Sequence, residues 1–150
     1  MADDASGIHV WLVLMKAHRT LSRHAERSIE ALGMCFSDFA VLELLLHKGP
    51  QPVNAIGRRV DLTSGSITTA VDRLEKRGLV ERGLDAGDRR ARIVSLTRRG
   101  RARIGEVFAE HERAMARAAS GLGPRERGTL VKLLKKLGTG AEQELKGTSS

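Results

Sequence analysis

The sequence predicts a mainly α-helical fold that carries one small β-hairpin, and three observations support this. Apolar residues recur at helical spacing through most of the chain. Residues 79–84 and 91–96 are instead rich in Leu, Val and Ile, which predicts two short strands. The chain has 150 residues, of which 41% are hydrophobic and 29% charged, enough to bury the core of one globular domain.

Helix-ending residues divide the helical pattern into segments. The first predicted helix runs from Ile8 to about Leu32, and a second is capped by Ser37 or Asp38. A short helix follows over 52–60, Thr63 or Ser64 caps the central helix, and Thr97 caps the next one. The last helix starts at Pro124, is weakened by glycines at 138 and 140, and leaves 146–150 as a tail.

The central helix has two unlike faces. Ile67, Val71 and Leu74 recur at i, i+4 and i+7, so they form one apolar stripe, which Gly78 ends. Small polar side chains and one arginine lie mostly off that stripe: Ser64, Ser66, Thr68, Thr69 and Arg73. Such a face fits the DNA major groove, where small side chains let the helix approach base edges. An ordinary amphipathic surface helix is the alternative.

The turn between the two strands is charged. Residues 85–90 read Asp-Ala-Gly-Asp-Arg-Arg, and Asp with Gly favours a tight turn. Asp88 is close enough in sequence to hold an arginine, while Arg89 and Arg90 project from the tip. Arginine suits a narrow minor groove because negative potential is concentrated there. We therefore expect a wing beside the groove-sized helix.

Basic charge is concentrated on this part of the chain. Of the net charge of +8, residues 58–103 carry 13 basic and 6 acidic side chains, a net of +7. This pattern is typical of a protein that binds double-stranded DNA, although a solvated basic face is the alternative. Aromatic residues make up only 3%, which argues against base stacking on single strands.

These residues resemble a known family. SDFAVLELL, GPQPVNAIGRRVDLTSGSITTAVDRLEKRGLVER and DAGDRRARIVSLT are similar to the MarR family of bacterial winged helix-turn-helix transcription regulators. The resemblance implies a winged helix-turn-helix DNA-binding lobe over about 35–97 within a single domain, 1–150. It also implies that 8–33 and 98–146 form dimerisation helices. The expected function is a ligand-responsive repressor that binds a palindromic operator as a homodimer.

The recognition helix departs from the common pattern of this family. Many relatives carry an arginine at position 69 or 70, where this chain has Thr69 and Ala70. We therefore expect Thr methyl contacts with thymine and Ser/Thr hydrogen bonds, with Arg73 as the one long candidate for base reading.

The resemblance also implies an effector site where the dimerisation helices meet the DNA-binding lobe. Most of the few aromatic residues fall there, and aromatic or Met side chains suit a flat phenolic or aromatic ligand. The candidates are Trp11, Met15, Phe36, Phe39, Phe108 and His111. The alternative is that these residues are plain core.

Other chemistries find little support. The five histidines show no metal-ligand spacing, and no nucleophile, phosphate-loop or dinucleotide motif is present, so we expect neither an enzyme nor a metal or cofactor. Cys35 precedes a helix start, which leaves a redox-sensing regulator as an alternative, beside a non-specific architectural DNA-binding protein. The apolar run Ile8–Met15 is too short for a bilayer, so we expect a cytoplasmic protein.

Overall fold

The computed structural model describes residues 5–60, 62–84, 87 and 92–148. It forms two compact units, Met1–Met115 and Ala116–Ser150. The elements in chain order are α1 (Gly7–Glu30), α2 (Phe36–Lys48), β1 (Gln51–Pro52), α3 (Val53–Val60), α4 (Ser64–Lys76), β2 (Val80–Leu84), β3 (Arg92–Leu96), α5 (Arg98–Ala118) and α6 (Pro124–Gly147). The unit boundary falls inside the residue range of α5, so the predicted limits of lobe and dimerisation helices stay predictions.

The start of α2 differs from the sequence-based expectation. The helix begins at Phe36, and the cap position belongs to Cys35, which makes no side-chain capping bond. Ser37 and Asp38 therefore lie inside the first turn, and the prediction that one of them caps the helix is wrong. The physical reason is that the Asp38 carboxylate, only 1% exposed, is bound by side chains from another helix.

The predicted hairpin is confirmed, and a third strand joins it. β2 and β3 pair antiparallel from Val80 opposite Leu96 to Leu84 opposite Arg92. The sequence analysis missed β1, which pairs with β3 through Gln51 and Pro52 and gives the strand order β1-β3-β2. Two residues are too short for an alternating pattern, and proline is tolerated at a sheet edge because it needs no ladder partner for an N–H.

One core holds the helices α1 to α5 and the hairpin together. The predicted stripe of α4 is buried, with Ile67, Val71 and Leu74 at most 1% exposed. α2 lies against both α3 and α4, as well as against β3. Apolar residues of seven elements and connecting segments make up this core: Ile29, Met34, Phe39, Val41, Leu42, Leu44, Leu45, Ile56, Ile67, Ala70, Val71, Leu74, Leu79, Val80, Val94, Ile104 and Val107. The buried stripe turns the opposite side of α4 outward.

The residues that the sequence predicted to cap or end α4 and to cap α5 take these positions in the structure. Thr63 accepts a hydrogen bond from Ser66 N at 3.2 Å, and Gly78 takes φ +70° just after α4. Thr97 Oγ1 accepts from Gly100 N at 3.0 Å and donates to the Gly78 carbonyl at 2.6 Å. The start of α5 is therefore tied to the end of α4.

The helix α6 continues further than expected. It passes through Gly138 and Gly140 and ends at Gly147, so the prediction that a tail begins at 146 is wrong. Each glycine costs about 1 kcal/mol relative to alanine, which the other residues of a long helix can offset. The Glu126 carboxylate accepts from Gly123 N at 2.7 Å and satisfies one free amide at the start.

Within the residues that the structure describes, no helix has the length and apolar character needed to cross a membrane. In the same residues, no three His, Cys, Asp or Glu side chains are grouped so that they could hold a metal ion.

Candidate nucleic-acid interface

The outer side of α4 presents four exposed hydroxyl groups. They belong to Ser64, Ser66, Thr68 and Thr69, which we call the hydroxyl row. The row exists because Ile67, Ala70, Val71 and Leu74 take the opposite side of the helix into the core. Small side chains on the exposed side of a helix that is anchored by its buried side allow close approach of a flat polar surface such as a base-pair edge.

The hydrogen atoms of the threonine hydroxyls are used within the helix. Thr68 Oγ1 donates to the Ser64 carbonyl at 2.9 Å, and Thr69 Oγ1 donates to the Gly65 carbonyl at 3.0 Å. Ser66 Oγ accepts from Thr63 Oγ1 at 2.9 Å. The two threonine oxygens are thus left as acceptors toward the outside, each beside a methyl group. Such a pair matches an amino group and a thymine methyl in the major groove.

Arg73 is engaged inside the protein. Its Nε lies 3.1 Å from both carboxylate oxygens of Asp38, and Nη2 donates to Asp38 Oδ1 and to Ser37 Oγ, the latter at 3.3 Å. Arg77 Nη1 lies 3.6 Å from Asp38 Oδ2. The hydrogen bond with Asp38 raises the pKa of Arg73 above its ordinary value. The role of Arg73 as a base reader stays a prediction. To contact a base, Arg73 would have to leave this internal ion pair.

A second arginine joins the hairpin to α4. Arg82 on β2 places Nη2 2.5 Å from Asp72 Oδ1 and Nη1 3.0 Å from Glu75 Oε1. Burial lowers the pKa of Arg82, but the hydrogen bonds and charges of Asp72 and Glu75 outweigh this and the net shift is upward. Two anchor points on one helix fix the orientation of the hairpin against α4. The predicted tip residues Asp88, Arg89 and Arg90 lie outside the described residues.

A cleft of about 640 Å³ separates α3 from the hydroxyl row. Gly57 lies at its base, where an added Cβ would meet Ile67 Cγ1 at 3.4 Å, so a glycine lets the two helices come close. The lining residues are Val53, Asn54, Gly57, Arg58, Leu62, Ser64, Ile67 and Thr68. The two helices beside the cleft, α3 and α4, correspond to the short helix over 52–60 and the central helix that the sequence predicted.

Three of the six candidate effector residues take part in ring contacts between α2 and α5. Phe39 and His111 meet edge-on with ring centroids 4.9 Å apart, and Phe108 lies 4.8 Å from the ring of His47. Ser28 Oγ donates to Ala25 O at 2.8 Å and lies 2.8 Å from His111 Nδ1, which assigns a hydrogen to Nδ1. Burial lowers the pKa of His111, and the charge of Glu43 opposes this weakly.

The other three candidates lie elsewhere. Phe36, half exposed, lines a mainly apolar cleft of about 400 Å³ together with Met115. Trp11 and Met15 lie on the exposed side of α1, 56% and 41% accessible, and do not line this cleft. The cleft is completed by residues that the sequence analysis did not single out as ligand contacts: His18, Leu21, Ser22, Ala25 and Glu26. Their spacing of three and four along α1 was the available signal.

Cys35 is exposed and lies between Arg73 of α4 and the cleft beside Phe36. Its Sγ is 3.4 Å from Ser37 Oγ and accepts a hydrogen bond from Arg73 Nη2 at 3.5 Å. The residue directly after it, Phe36, lines the 400 Å³ cleft. The thiol is therefore accessible to reagents and touches the recognition helix.

Comparison with known proteins identifies relatives along nearly the whole chain. HTH-type transcriptional regulator MhqR of Bacillus subtilis is 35% identical over 136 residues, which cover 91% of this chain and 94% of MhqR. The uncharacterised HTH-type transcriptional regulator YkoM of the same organism is 37% identical over 131 residues, 87% of this chain and 85% of YkoM. Both relatives are transcriptional regulators rather than enzymes.

A solved structure shares the fold. BpsR of Bordetella bronchiseptica, described in a study of the regulation of its DNA binding by 6-hydroxynicotinic acid, superposes with a TM-score of 0.75. It is 25% identical, and the match covers 92% of this chain and 96% of BpsR. The family profile described as "MarR family" matches residues 32–91, the part that holds α2, β1, α3, α4 and β2. The chain belongs to the MarR family of winged helix-turn-helix, DNA-binding transcription regulators.

Proposed function

We propose that this protein is a repressor that binds a palindromic DNA operator as a homodimer and leaves it when a small aromatic effector binds. The observation that carries the DNA part is the hydroxyl row, displayed on a helix whose other side is fully buried. The net charge of +7 over residues 58–103 supplies the attraction for phosphates. Ser64, Ser66, Thr68 and Thr69 read bases, while Asp88, Arg89 and Arg90 serve the wing.

A binding-site selection tests this proposal. Random duplex DNA is enriched on the wild-type protein, and the enriched duplex is then titrated in the presence of random competitor DNA. We expect one palindromic sequence, with affinity that falls about 10³-fold between 50 and 200 mM salt if about six phosphates are engaged. Enrichment of no sequence would instead support a non-specific architectural protein.

A matched pair of substitutions separates base reading from a general effect on helices. Thr68→Val keeps the shape of the side chain but removes the acceptor oxygen of the hydroxyl row. Thr129→Val is the control, because Thr129 is an exposed threonine on α6 with the same kind of bond, 3.1 Å to the Arg125 carbonyl. We expect only Thr68→Val to weaken the selected duplex relative to random DNA.

Exposed apolar side chains support the homodimer. On α1, Ile8, Trp11 and Val13 are more than half exposed. On α6, no residue is buried, although its sequence carries a run of apolar side chains: Leu130, Val131, Leu133, Leu134 and Leu137. Apolar surface of this extent on two helices is typical of a protein interface. A second copy of the chain is the partner we propose, since two recognition helices about 34 Å apart read a palindrome.

The 400 Å³ cleft beside Phe36 is the site we propose for the effector. Its lining combines an aromatic ring and Met115 with the polar groups of His18 and Ser22, which suits a flat ring that carries a hydroxyl or carboxylate. The relative BpsR is regulated by 6-hydroxynicotinic acid, a ligand of this chemical kind. Titration with salicylate, simple phenols and 6-hydroxynicotinic acid should release the selected duplex, and Phe36→Ala should abolish release without weakening DNA binding.

A redox-sensing function is the second candidate, because Cys35 is exposed and bonded to Arg73 of the recognition helix. Oxidation or alkylation of the thiol would change a contact of that helix directly. Treatment with a thiol-reactive quinone tests it, with Cys35→Ser as the control. DNA release by the quinone that persists in Cys35→Ser would exclude the thiol as the sensor.

A further inference from the structure

The side chain of Arg73 is long enough to read DNA, yet two of its three nitrogens, Nε and Nη2, already have partners within the protein. A guanidinium contacts a guanine through two N–H groups on one edge, either Nε with Nη2 or Nη1 with Nη2. Both edges include Nη2. In this structure, Nη2 faces Asp38 Oδ1, Ser37 Oγ and Cys35 Sγ, which account for its two hydrogens.

Asp38 keeps Arg73 in this position. The Asp38 side chain is 2% exposed, so its charge is almost entirely withdrawn from water and requires a partner. If Arg73 left, the nearest remaining cation would be Arg77, at 3.6 Å and without the two short contacts that Nε makes. Departure of Arg73 toward a base would therefore leave a buried carboxylate with only this longer ion pair, a cost that opposes base reading.

We infer that Arg73 is a positioning residue rather than a base reader: Asp38 on α2 holds it, and through it fixes the pose of α4 on the DNA. This inference rests on the proposed function. Base reading by α4 then falls to the hydroxyl row alone. The Asp38–Arg73 pair joins α2 and α4 at the surface edge of the core, where Ile67 and Leu74 already attach the same helix.

The test uses the full-length protein and the duplex that the wild type selects, with a random duplex of equal length as reference. The variants are Arg73→Ala, Arg73→Lys, Asp38→Asn and the double variant Asp38→Asn/Arg73→Ala. Arg77→Ala is the matched control, a cation of the same helix end that touches Asp38 only at 3.6 Å. For each variant, affinity is measured for every single-base change in one half-site and at several salt concentrations.

A positioning role predicts one pattern. Arg73→Ala lowers affinity for the selected duplex but leaves the order of base preference at every position unchanged. Arg73→Lys, which keeps the charge beside Asp38 but not the fork, restores most of the lost affinity. Asp38→Asn frees Arg73, so affinity for the random duplex rises. The slope of log affinity against log salt concentration then steepens by up to about 0.9 per subunit. The double variant binds no worse than the poorer single variant, because one interaction is removed in both.

A base-reading role predicts the opposite pattern and would overturn the inference. Arg73→Ala would then flatten the preference at one base pair by about 5- to 150-fold, and Arg73→Lys, which lacks the planar fork, would not restore the wild-type preference there. Lysine suits this test because it is expected to fold with Asp38 still paired even where alanine is not tolerated. Failure of the wild type to select any sequence would overturn the proposed function itself, an outcome distinct from either pattern.

Discussion

At the scale of single residues, Gly100 marks a point where the fold accepts no side chain. A Cβ built there would lie 1.8 Å from the Leu79 carbonyl oxygen, a backbone atom held by its bond from Thr97 N at 3.1 Å. The contact lets the first turn of α5 pass directly over the start of β2. The glycine is therefore required by packing, although its φ is not in the left-handed region.

Gly100→Ala should destabilise the protein by about 1–3 kcal/mol, because backbone must shift to admit the methyl group. Gly105→Ala is the matched control in the same helix, since an added Cβ there meets nothing within 4 Å. It should stabilise the helix by about 0.5–1 kcal/mol through its better helix propensity. Urea unfolding of both variants measures the difference, and equal midpoints would contradict the packing argument.

His111 makes stability depend on pH. Burial lowers its pKa in the folded protein, while the unfolded chain keeps the ordinary value near 6.5. The unfolded chain therefore binds the proton more readily, and stability present above pH 6.5 is lost as pH falls toward the lowered pKa. In His111→Asn, which can still donate a hydrogen bond to Ser28, the free energy of unfolding should depend less on pH between pH 7 and 5.

Thermal melts of the His111 variant and the wild type at a series of pH values provide the measurement. His24→Asn serves as the control for loss of one histidine, because His24 is exposed on α1. If the wild type and His111→Asn lose the same stability between pH 7 and 5, another group carries the dependence.

At the scale of elements, two arginines connect α4 to the neighbouring helix and to the hairpin. Arg73 joins the helix to α2, and Arg82 joins it to β2 through Asp72 and Glu75. Asp72 and Glu75 are about half exposed, so the Arg82 pairs contribute about 0–1 kcal/mol to folding. Their larger consequence is geometric, because they fix the direction in which the hairpin leaves the helix.

Arg82→Gln should therefore weaken operator binding about tenfold or more while changing the free energy of unfolding by less than about 1 kcal/mol. Arg113→Gln is the control, since it breaks an exposed ion pair of 2.5 Å to Glu110 on α5. An unchanged salt slope would show that Arg82 acts on geometry rather than on a phosphate. Operator affinity equal to that of the control would refute this role.

Local chemistry explains which elements the sequence predicted. Thr63, Gly78 and Thr97 act through bonds to residues a few positions away or through their own backbone angles, so their patterns are visible in a short window. The partner of Arg73 is 35 residues distant, and no local pattern indicates that Asp38 is buried rather than capping a helix. The same limit explains why β1 was missed, since its only signal is a two-residue pairing with β3.

The effector candidates illustrate the same distinction. Residue type selected Trp11, Met15 and Phe36, but type alone does not give the side of a helix on which a cleft opens. Phe36 lines the cleft, whereas Trp11 and Met15 do not. For this reason the fluorescence of Trp11, the one tryptophan of the chain, should follow assembly of the proposed dimer more closely than effector binding.

At the scale of the whole molecule, assembly and DNA recognition depend on each other. A single recognition helix contacts too few bases to select one site in a genome, so two copies must act together. In the homodimer that we propose, the exposed apolar side chains of α1 and α6 supply the surface for that pairing. Disruption of this surface should therefore lower the affinity for the operator, although no DNA-binding residue is changed.

Leu134→Glu tests this coupling, because Leu134 is apolar, 39% exposed and one helical turn from Leu130 and Leu137. A carboxylate buried without a partner in the proposed dimer should weaken self-association by about 3 kcal/mol, roughly 100-fold in Kd. Lys135→Glu is the control, the neighbouring exposed position with a larger change of charge. Sedimentation velocity at micromolar concentration should give a monomer for Leu134→Glu and a dimer for the control.

DNA binding then supplies the second measurement. The wild-type dimer should lose affinity when five base pairs are inserted between half-sites, because half a turn moves one half-site to the opposite side of the helix. The Leu134→Glu monomer should bind both duplexes equally and weakly, while Lys135→Glu keeps the dependence on spacing. A Leu134→Glu protein that remains dimeric and still distinguishes the two spacings would show that the apolar side of α6 is not the dimer interface.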